Sequence, residues 1–321
     1  MKTDLLNLCQ VTLGTDAEIV NENLTEFNKI YKNVKLFVVC PSKDKEIFIK
    51  TLVSKNYKII TEDELISLDE FTNIFEKLSE NLTYKKEFKK RLSWYYAITL
   101  KFCFIHKFFE TNDSNLIIWE GDTVILKKIK FFENSESKLY TCPAYFHKLY
   151  FDTCEKLLGI MPKFYSSFIT MFGSMTKKEI NFLFESLNLN NINNKKFNIL
   201  FSEKVLQSVF DIHKTYNNSM FADYELIGIN SLNLKFKKQI PIFFLRSALD
   251  GKLTSGQKLL AKLFNVKHFT YEHRHPNKHS TNMLSRNQTW VRFLKILIFF
   301  YYKFKIEQIR FNFKYLFNNK I

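Results

Sequence analysis

Residues 5–60 alternate apolar runs with segments of helical period, and this alternation restricts the fold more than any other feature of the chain. Leu5 to Thr12 reads as a strand closed by a polar turn at Gly14-Thr15-Asp16. Between Glu18 and Tyr31, apolar residues recur at Ile19, Leu24, Phe27 and Ile30, the spacing of a helix with one buried face. Val34 to Val39 predicts a second strand, Lys45 to Ser54 a second helix and Tyr57 to Ile60 a third strand. Such a series is the signature of an α/β fold built on a parallel sheet. The first turn has no Gly-rich dinucleotide fingerprint, which argues against a nicotinamide-binding domain.

Further on, Glu62 to Arg91 is a polar excursion and Leu92 to Phe109 an aromatic helix, followed by a strand from Leu116. Strand-like pieces at Ile129 to Phe132 and Tyr140 to Cys142 precede a helix over Tyr145 to Leu158. Ser166 to Met175 reads as a short turn or strand, and Lys177 to Leu187 as a helix. Asn188 to Asn198 is rich in asparagine and reads as a loop, before a helix over Ser202 to His213 that leads into Met220 to Ile229. Ile240 to Leu245 and Val266 to Tyr271 are late strands, and Asn287 to Phe317 is a long basic, aromatic helix. There is no internal repeat. The expected organisation is one α/β domain over residues 1–285 and a tail over 286–321.

Composition narrows the partners. The 321 residues are 46% hydrophobic and 25% charged, as in a folded soluble protein. A formal net charge of +16 favours acidic partners: nucleic acid, an anionic membrane face or phosphate-bearing substrates. The lysines are scattered and no RNA-binding or helix-turn-helix pattern accompanies them, so nucleic acid is not expected. Five cysteines, an odd number without a CxxC pair, imply a reducing compartment with neither a disulfide framework nor structural zinc. No signal-peptide core is seen near Met1, and the expected location is cytoplasmic.

Three polar groups can carry chemistry. The apolar run Leu116-Ile117-Ile118-Trp119 stops at Glu120-Gly121-Asp122 before Thr123-Val124-Ile125-Leu126 resumes. Carboxylates at the carboxyl end of a central strand lie where open α/β sheets bind ligands, and a glycine between them allows close backbone approach. Their oxygens suit Mn²⁺ or Mg²⁺ shared with a diphosphate; a strand ending in a polar turn is the plain alternative. Asp223-Tyr224-Glu225 places two acids in apolar surroundings. Either they open a helix, where the macrodipole favours acids, or one takes the proton of an acceptor hydroxyl while the other anchors a sugar. The third group is Tyr271-Glu272-His273-Arg274-His275-Pro276. His273 and His275 can face one ligand or metal and Arg274 can neutralise a diphosphate, unless the segment is only a solvated loop.

The series Arg91-Leu92-Ser93-Trp94-Tyr95-Tyr96 to Lys101, then Trp119-Glu120-Gly121-Asp122-Thr123-Val124, resembles a bacterial family of glycosyltransferase-like proteins from surface-polysaccharide loci. In that family a Gly-Trp-Tyr helix ending in lysine precedes an Asp-x-Asp-Thr-Val strand end. Ser166-Ser167-Phe168-Ile169-Thr170 is similar to its Ser-Phe-Ile-Thr segment, and Ala222 to Gly228 to its Ser-Glu-Tyr-Glu-x-Tyr-Gly segment. The matches span Leu5 to Tyr271. Glu120 stands in place of the first aspartate, Ser93 of the glycine and Tyr96 of a glutamine. The resemblance implies a GT-A-like, Rossmann-type mixed sheet flanked by helices and transfer from a nucleotide-sugar donor. In that scheme Glu120 and Asp122 position the divalent ion with His273 or His275, while Arg274 closes over the diphosphate. Asp223 is the base and Glu225 orients a surface-glycan acceptor, or the two exchange these roles. Thr12 and Asp16 contact the nucleoside, and Lys101 or Arg91 reaches a phosphate, for which an exposed helical face is the alternative. A non-catalytic, membrane-peripheral scaffold that keeps the fold is the second reading.

In the tail, only Ile296 to Tyr302 is uncharged, too short for the roughly 20 apolar residues of a spanning helix. Arg292, Lys295, Lys303 and Lys305, interleaved with aromatics, suit a basic amphipathic helix lying on the anionic inner-membrane surface. A helix packed on the core, or an oligomer contact, is the alternative.

Overall fold

The computed structural model describes residues 5–159, 166–212, 220–234, 237–247, 252–271 and 286–318. The chain begins β1 (Leu6–Val11), α1 (Ala17–Ile30), β2 (Val34–Cys40), α2 (Lys45–Thr51), β3 (Tyr57–Thr61). It returns through α3 (Leu68–Leu78), α4 (Lys85–Lys89) and α5 (Leu92–Thr111) to β4 (Leu116–Trp119). Then come β5 (Thr123–Ile125), β6 (Phe132–Glu133), β7 (Glu136–Ser137), β8 (Leu139–Thr141), α6 (Lys148–Leu158), β9 (Phe172–Met175), α7 (Lys177–Ser186) and α8 (Asn194–Ile212). The rest is α9 (Asp223–Leu234), β10 (Gln239–Pro241), β11 (Leu245–Ser247), α10 (Ser255–Leu263), β12 (His268–Tyr271) and α11 (Arg286–Asn318).

The main sheet has the order β3-β2-β1-β4-β9, parallel except for β9, which runs antiparallel to β4. This is the expected mixed sheet flanked by helices. Because successive side chains of a strand point to opposite faces, the same strands feed two cores. Leu8, Leu36, Val38, Ile117 and Trp119 pack with Val20, Leu24 and Phe27 of α1 and Phe48 of α2. Cys9, Phe37, Val39, Leu116 and Ile118 pack with Phe71 of α3, Phe102 and Phe104 of α5, and Phe201 of α8. From β1 the chain winds outward through β2 and β3, then returns to place β4 on the other side of β1. The carboxyl ends of β1 and β4 therefore flank a topological switch point, where open sheets hold ligands.

A second sheet, β11-β12-β5, stands beside this edge, with β5 antiparallel to β12. The apolar stretches on either side of Glu120-Gly121-Asp122 are thus two strands in two sheets. Helix α11 docks on the second sheet through Phe293, Leu297 and Phe304, which join Leu245 and Phe269 in a third core. Its opposite face leaves Val291, Leu294, Ile298, Tyr302, Ile306 and Ile309 exposed. The tail is therefore both a packed helix and an apolar outward surface. No helix among the described residues is long and apolar enough to cross a membrane.

Two local expectations fail. Helix α8 begins at Asn194, inside the asparagine-rich stretch read as a loop. Burial of Phe197 and Phe201, and the Asn198 amide donating to the Leu65 carbonyl at 2.6 Å, outweigh the modest helix propensity of asparagine. Helix α10 was not anticipated, although Thr254 and Gln257 form a capping box at its start.

Candidate functional site

At the carboxyl edge of β1 and β4, two backbone turns come into direct contact. A Cβ on Gly121 would lie 2.4 Å from Cβ and 2.3 Å from Oγ1 of Thr12, so only glycine permits this approach. Thr12 Oγ1 in turn donates to Asp16 Oδ2 at 2.9 Å, joining the two acidic turns. The Glu120-Gly121-Asp122 loop is held on three sides. Gln10 Nε2 donates to the Glu120 carbonyl at 3.1 Å. The Glu120 N–H donates to the Met171 carbonyl at 3.0 Å, and the Tyr271 N–H to the Asp122 carbonyl at 2.8 Å. Met171 has φ 61°, a left-handed conformation that costs a non-glycine residue energy and often accompanies functional loops.

Beneath this loop lies a buried cation. Lys101 Nζ donates to Glu120 Oε1 at 2.6 Å and to Asp223 Oδ2 at 2.7 Å, and sits 4.9 Å from the centre of the Tyr224 ring. Burial opposes the charge, but the two carboxylates outweigh it and hold the ammonium pKa above its ordinary value. Tyr224 also donates its hydroxyl to Glu120 Oε1, at 2.8 Å. One Glu120 oxygen thus accepts from two buried donors, which fixes the carboxylate plane. Burial raises the Asp223 carboxyl, with Lys101 opposing the shift.

Asp122, half-buried, is pushed up to about 7, first by burial and then by the carboxylates of Glu120 and Asp16, with Arg246 of β11 and Thr123 opposing. That mutual repulsion among hard oxygen donors is what a divalent cation relieves, so Asp122 and Glu120 fit Mg²⁺ or Mn²⁺ completed by a ligand's phosphates. Among the described residues no group of three or more His, Cys, Asp or Glu side chains is placed to hold a metal ion without such help. The repulsion has a stability consequence. With a folded value of about 7 against an ordinary 3.8, the folded state binds this proton more tightly, and stability falls as pH rises between those values. Asp122→Asn is therefore expected to melt higher than the parent in EDTA above about pH 8, with the gap closing towards about pH 4. Equal melting temperatures across that range would show that the carboxylates do not repel one another.

The other expected residues fall in different places. Glu225 is fully buried, accepting from Ser167 Oγ at 2.7 Å and from the Phe168 N–H at 2.9 Å. Burial lifts its carboxyl to about 8. It braces the segment that leads to Met171 and is shut off from any acceptor, which corrects the expectation of an acceptor contact. Lys101 is likewise corrected: both its charge partners are protein carboxylates, so it reaches no phosphate. Arg91 precedes α5 and stands about 15 Å along the axis from Lys101, given 1.5 Å of rise per residue. His273, Arg274 and His275 lie outside the described residues. Nearby His268 is buried against Trp119, Phe172 and Phe244, and burial lowers its pKa to about 3, so it is neutral. Gln10, Tyr224, Met171 and Arg246 were not anticipated. A polar Gln10 in the otherwise apolar Leu8-Cys9-Gln10-Val11 run was the available signal for the first.

A cavity of about 590 Å³ lies at the opposite edge, by the starts of β1 and β4. Two of its three lysines are already matched, Lys177 with Asp113 and Lys237 with Glu179. The acidic cleft, which gathers Asp16, Glu120 and Asp122 at the switch point, is the better candidate site.

A scan of family models and a search of curated proteins give no match to this chain. Among solved structures, it is similar to the galactosyltransferase LgtC in complex with donor and acceptor sugar analogues, at 10% identity and a TM-score of 0.41. It is similar to an active-site mutant of LgtC at 9% identity and a TM-score of 0.42. Each alignment covers 91% of this chain and 95% of the other. Likeness at this level leaves the functional reading to the geometry of the cleft.

Proposed function

We propose that this chain transfers a sugar from a nucleotide-sugar donor to a glycan acceptor of the bacterial surface type, such as lipooligosaccharide or capsule. The supporting observation is the meeting of Thr12, Asp16, Glu120 and Asp122 at the switch point, around a glycine that lets the two turns touch. In this reading Thr12 and Asp16 meet the nucleoside, and Asp122 with the second oxygen of Glu120 holds a divalent ion. That ion supplies charge stabilisation on the departing diphosphate. Lys101 and Tyr224 hold Glu120 in place, and Asp223 sets Lys101, a positioning role in place of the expected base. The bond from the anomeric carbon to the diphosphate breaks with its electron pair leaving on the diphosphate, a bond to the acceptor oxygen forms, and the hydroxyl proton passes to solvent water.

A thermal-shift screen against UDP, GDP, CMP and their sugar conjugates, with and without Mn²⁺, tests this. A ligand at about 100 times its dissociation constant adds about 2.7 kcal/mol to the folded state. The expected result is a metal-dependent shift with one nucleotide, absent in Asp122→Asn. No shift with any nucleotide overturns the transferase reading in favour of a non-catalytic scaffold.

We also propose that the outward face of α11 rests on an anionic membrane surface at the cytoplasmic side of the inner membrane. Its exposed stripe from Val291 to Ile309 is interleaved with the exposed Lys295 and Lys305, a pairing that suits the headgroup region. Lys303 instead lies over the Tyr145 ring at 5.8 Å, and Arg292 is half-buried. Cosedimentation with phosphatidylglycerol vesicles, absent with phosphatidylcholine, is expected for the parent and lost in Ile298→Glu/Ile306→Glu. Unchanged sedimentation of that variant removes the membrane assignment.

A further inference from the structure

An exposed aromatic side chain precedes the buried lysine on α5. Trp94 and Lys101 of α5 are seven residues apart, two turns, and therefore share one helix face. At 1.5 Å per residue, Trp94 lies about 10 Å along the axis from Lys101. The end of α5 leads into the start of β4, so its first turns project towards the carboxyl edge of the sheet, where Glu120 and Asp122 sit. Ala97 occupies the same face between the two and fills little of the space.

The Trp94 indole N–H donates to the Phe221 carbonyl at 3.2 Å, two residues before Asp223, which pins the ring to the segment that carries the acid. Even so, 39% of the residue stays exposed. With its one polar atom satisfied inside the protein, the indole offers solvent only apolar surface. A pyranose has a matching construction: one face of C–H groups that stacks on aromatic rings, and a rim of hydroxyls that hydrogen-bond to carboxylates. Trp94 presents the first feature, and Glu120, which is tied to Lys101 about 10 Å further along the α5 axis, presents the second.

We propose that Trp94 is the stacking platform for the acceptor sugar. The word acceptor rests on the transferase reading; the stacking of a sugar on this ring does not.

Saturation-transfer NMR on the full chain, with lactose and methyl β-galactoside as probes, tests it without using tryptophan as its own reporter. Trp94→Leu keeps apolar bulk but loses the flat ring, and is expected to bind the probes about tenfold more weakly, the equivalent of the roughly 1.4 kcal/mol of an aromatic stack. Trp94→Phe keeps a ring and is expected to stay within about threefold of the parent. Equal binding by Trp94→Leu and the parent, or no saccharide signal in the parent, overturns the proposal. The nucleotide thermal shift run on the same samples separates the two readings. Trp94-dependent saccharide binding without any nucleotide shift keeps the platform and removes the transferase.

Discussion

Replacing Lys101 by methionine is expected to cost about 3–5 kcal/mol of stability near neutral pH, the usual penalty for removing one member of a buried ion pair. The ammonium is the shared partner of Glu120 Oε1 and Asp223 Oδ2, and both it and Asp223 are buried. Without it two carboxylates face one another and the Tyr224 ring in a poorly solvated space. The loss comes from the stranded acids more than from the lysine, so a second change is informative. Lys101→Met with Asp223→Asn is expected to recover much of the deficit, because deleting charge on both sides avoids an unpaired buried ion. Acid also reduces the cost, since Asp223, already raised by burial, takes up its proton more readily once the cation is gone. Urea unfolding of the three proteins at neutral and acid pH reads all of this. A penalty below about 1 kcal/mol for the single change would mean that water solvates the floor of the cleft.

Gly121→Ala is expected to lower donor affinity or transfer by about 100-fold, the scale of a displacement near 1 Å among reacting groups. The added methyl meets Thr12 at 2.3 and 2.4 Å, and neither partner is the loose end of a long side chain. Thr12 closes β1 and Glu120 is tied to Gln10 and Met171, so the loop moves as a unit and carries Asp122 with it. Overpacking adds about 1–3 kcal/mol of destabilisation. Thr12→Gly in the same chain removes the opposing atoms and is expected to restore part of the nucleotide-induced thermal shift. Wild-type behaviour of Gly121→Ala would show that the two turns separate freely and that their contact is incidental.

The first half of the sheet was legible because its signals are local. Strand and helix periods in residues 5–60 need no distant partner, and α1 differs from its reading by a single residue at each end. Glu120 and Asp122 were legible for a similar reason: acids that interrupt a strongly apolar run have few places to go. The roles of Lys101 and Glu225 were not, because the pattern of one segment does not say which distant group a buried charge meets. Lys101 sits in a helix of aromatics that gives no hint of Asp223, and Glu225 lies two residues from Asp223 yet turns to the Ser167 segment. The start of α8 was hidden by a composition that suits loops, and only the packing of Phe197 reveals it.

The polar contacts of the cleft join residues far apart in the chain: Gln10 to Glu120 across 110 positions, Tyr224 to Glu120 across 104 and Lys101 to Asp223 across 122. Non-local pairings of this kind form late, since loop closure has to be overcome before they contribute. During synthesis the β1–β3 unit can assemble before Asp223 has emerged, when Glu120 is the one carboxylate within reach of Lys101. A chain interrupted before α9 thus leaves Lys101 with Glu120 as its one partner and lacks Asp223 and Tyr224, and such a product is expected to be bound by chaperones or degraded rather than to linger as a half-built protein. Assembly of the cleft therefore waits on synthesis at least as far as β12, where the Tyr271 N–H meets the Asp122 carbonyl.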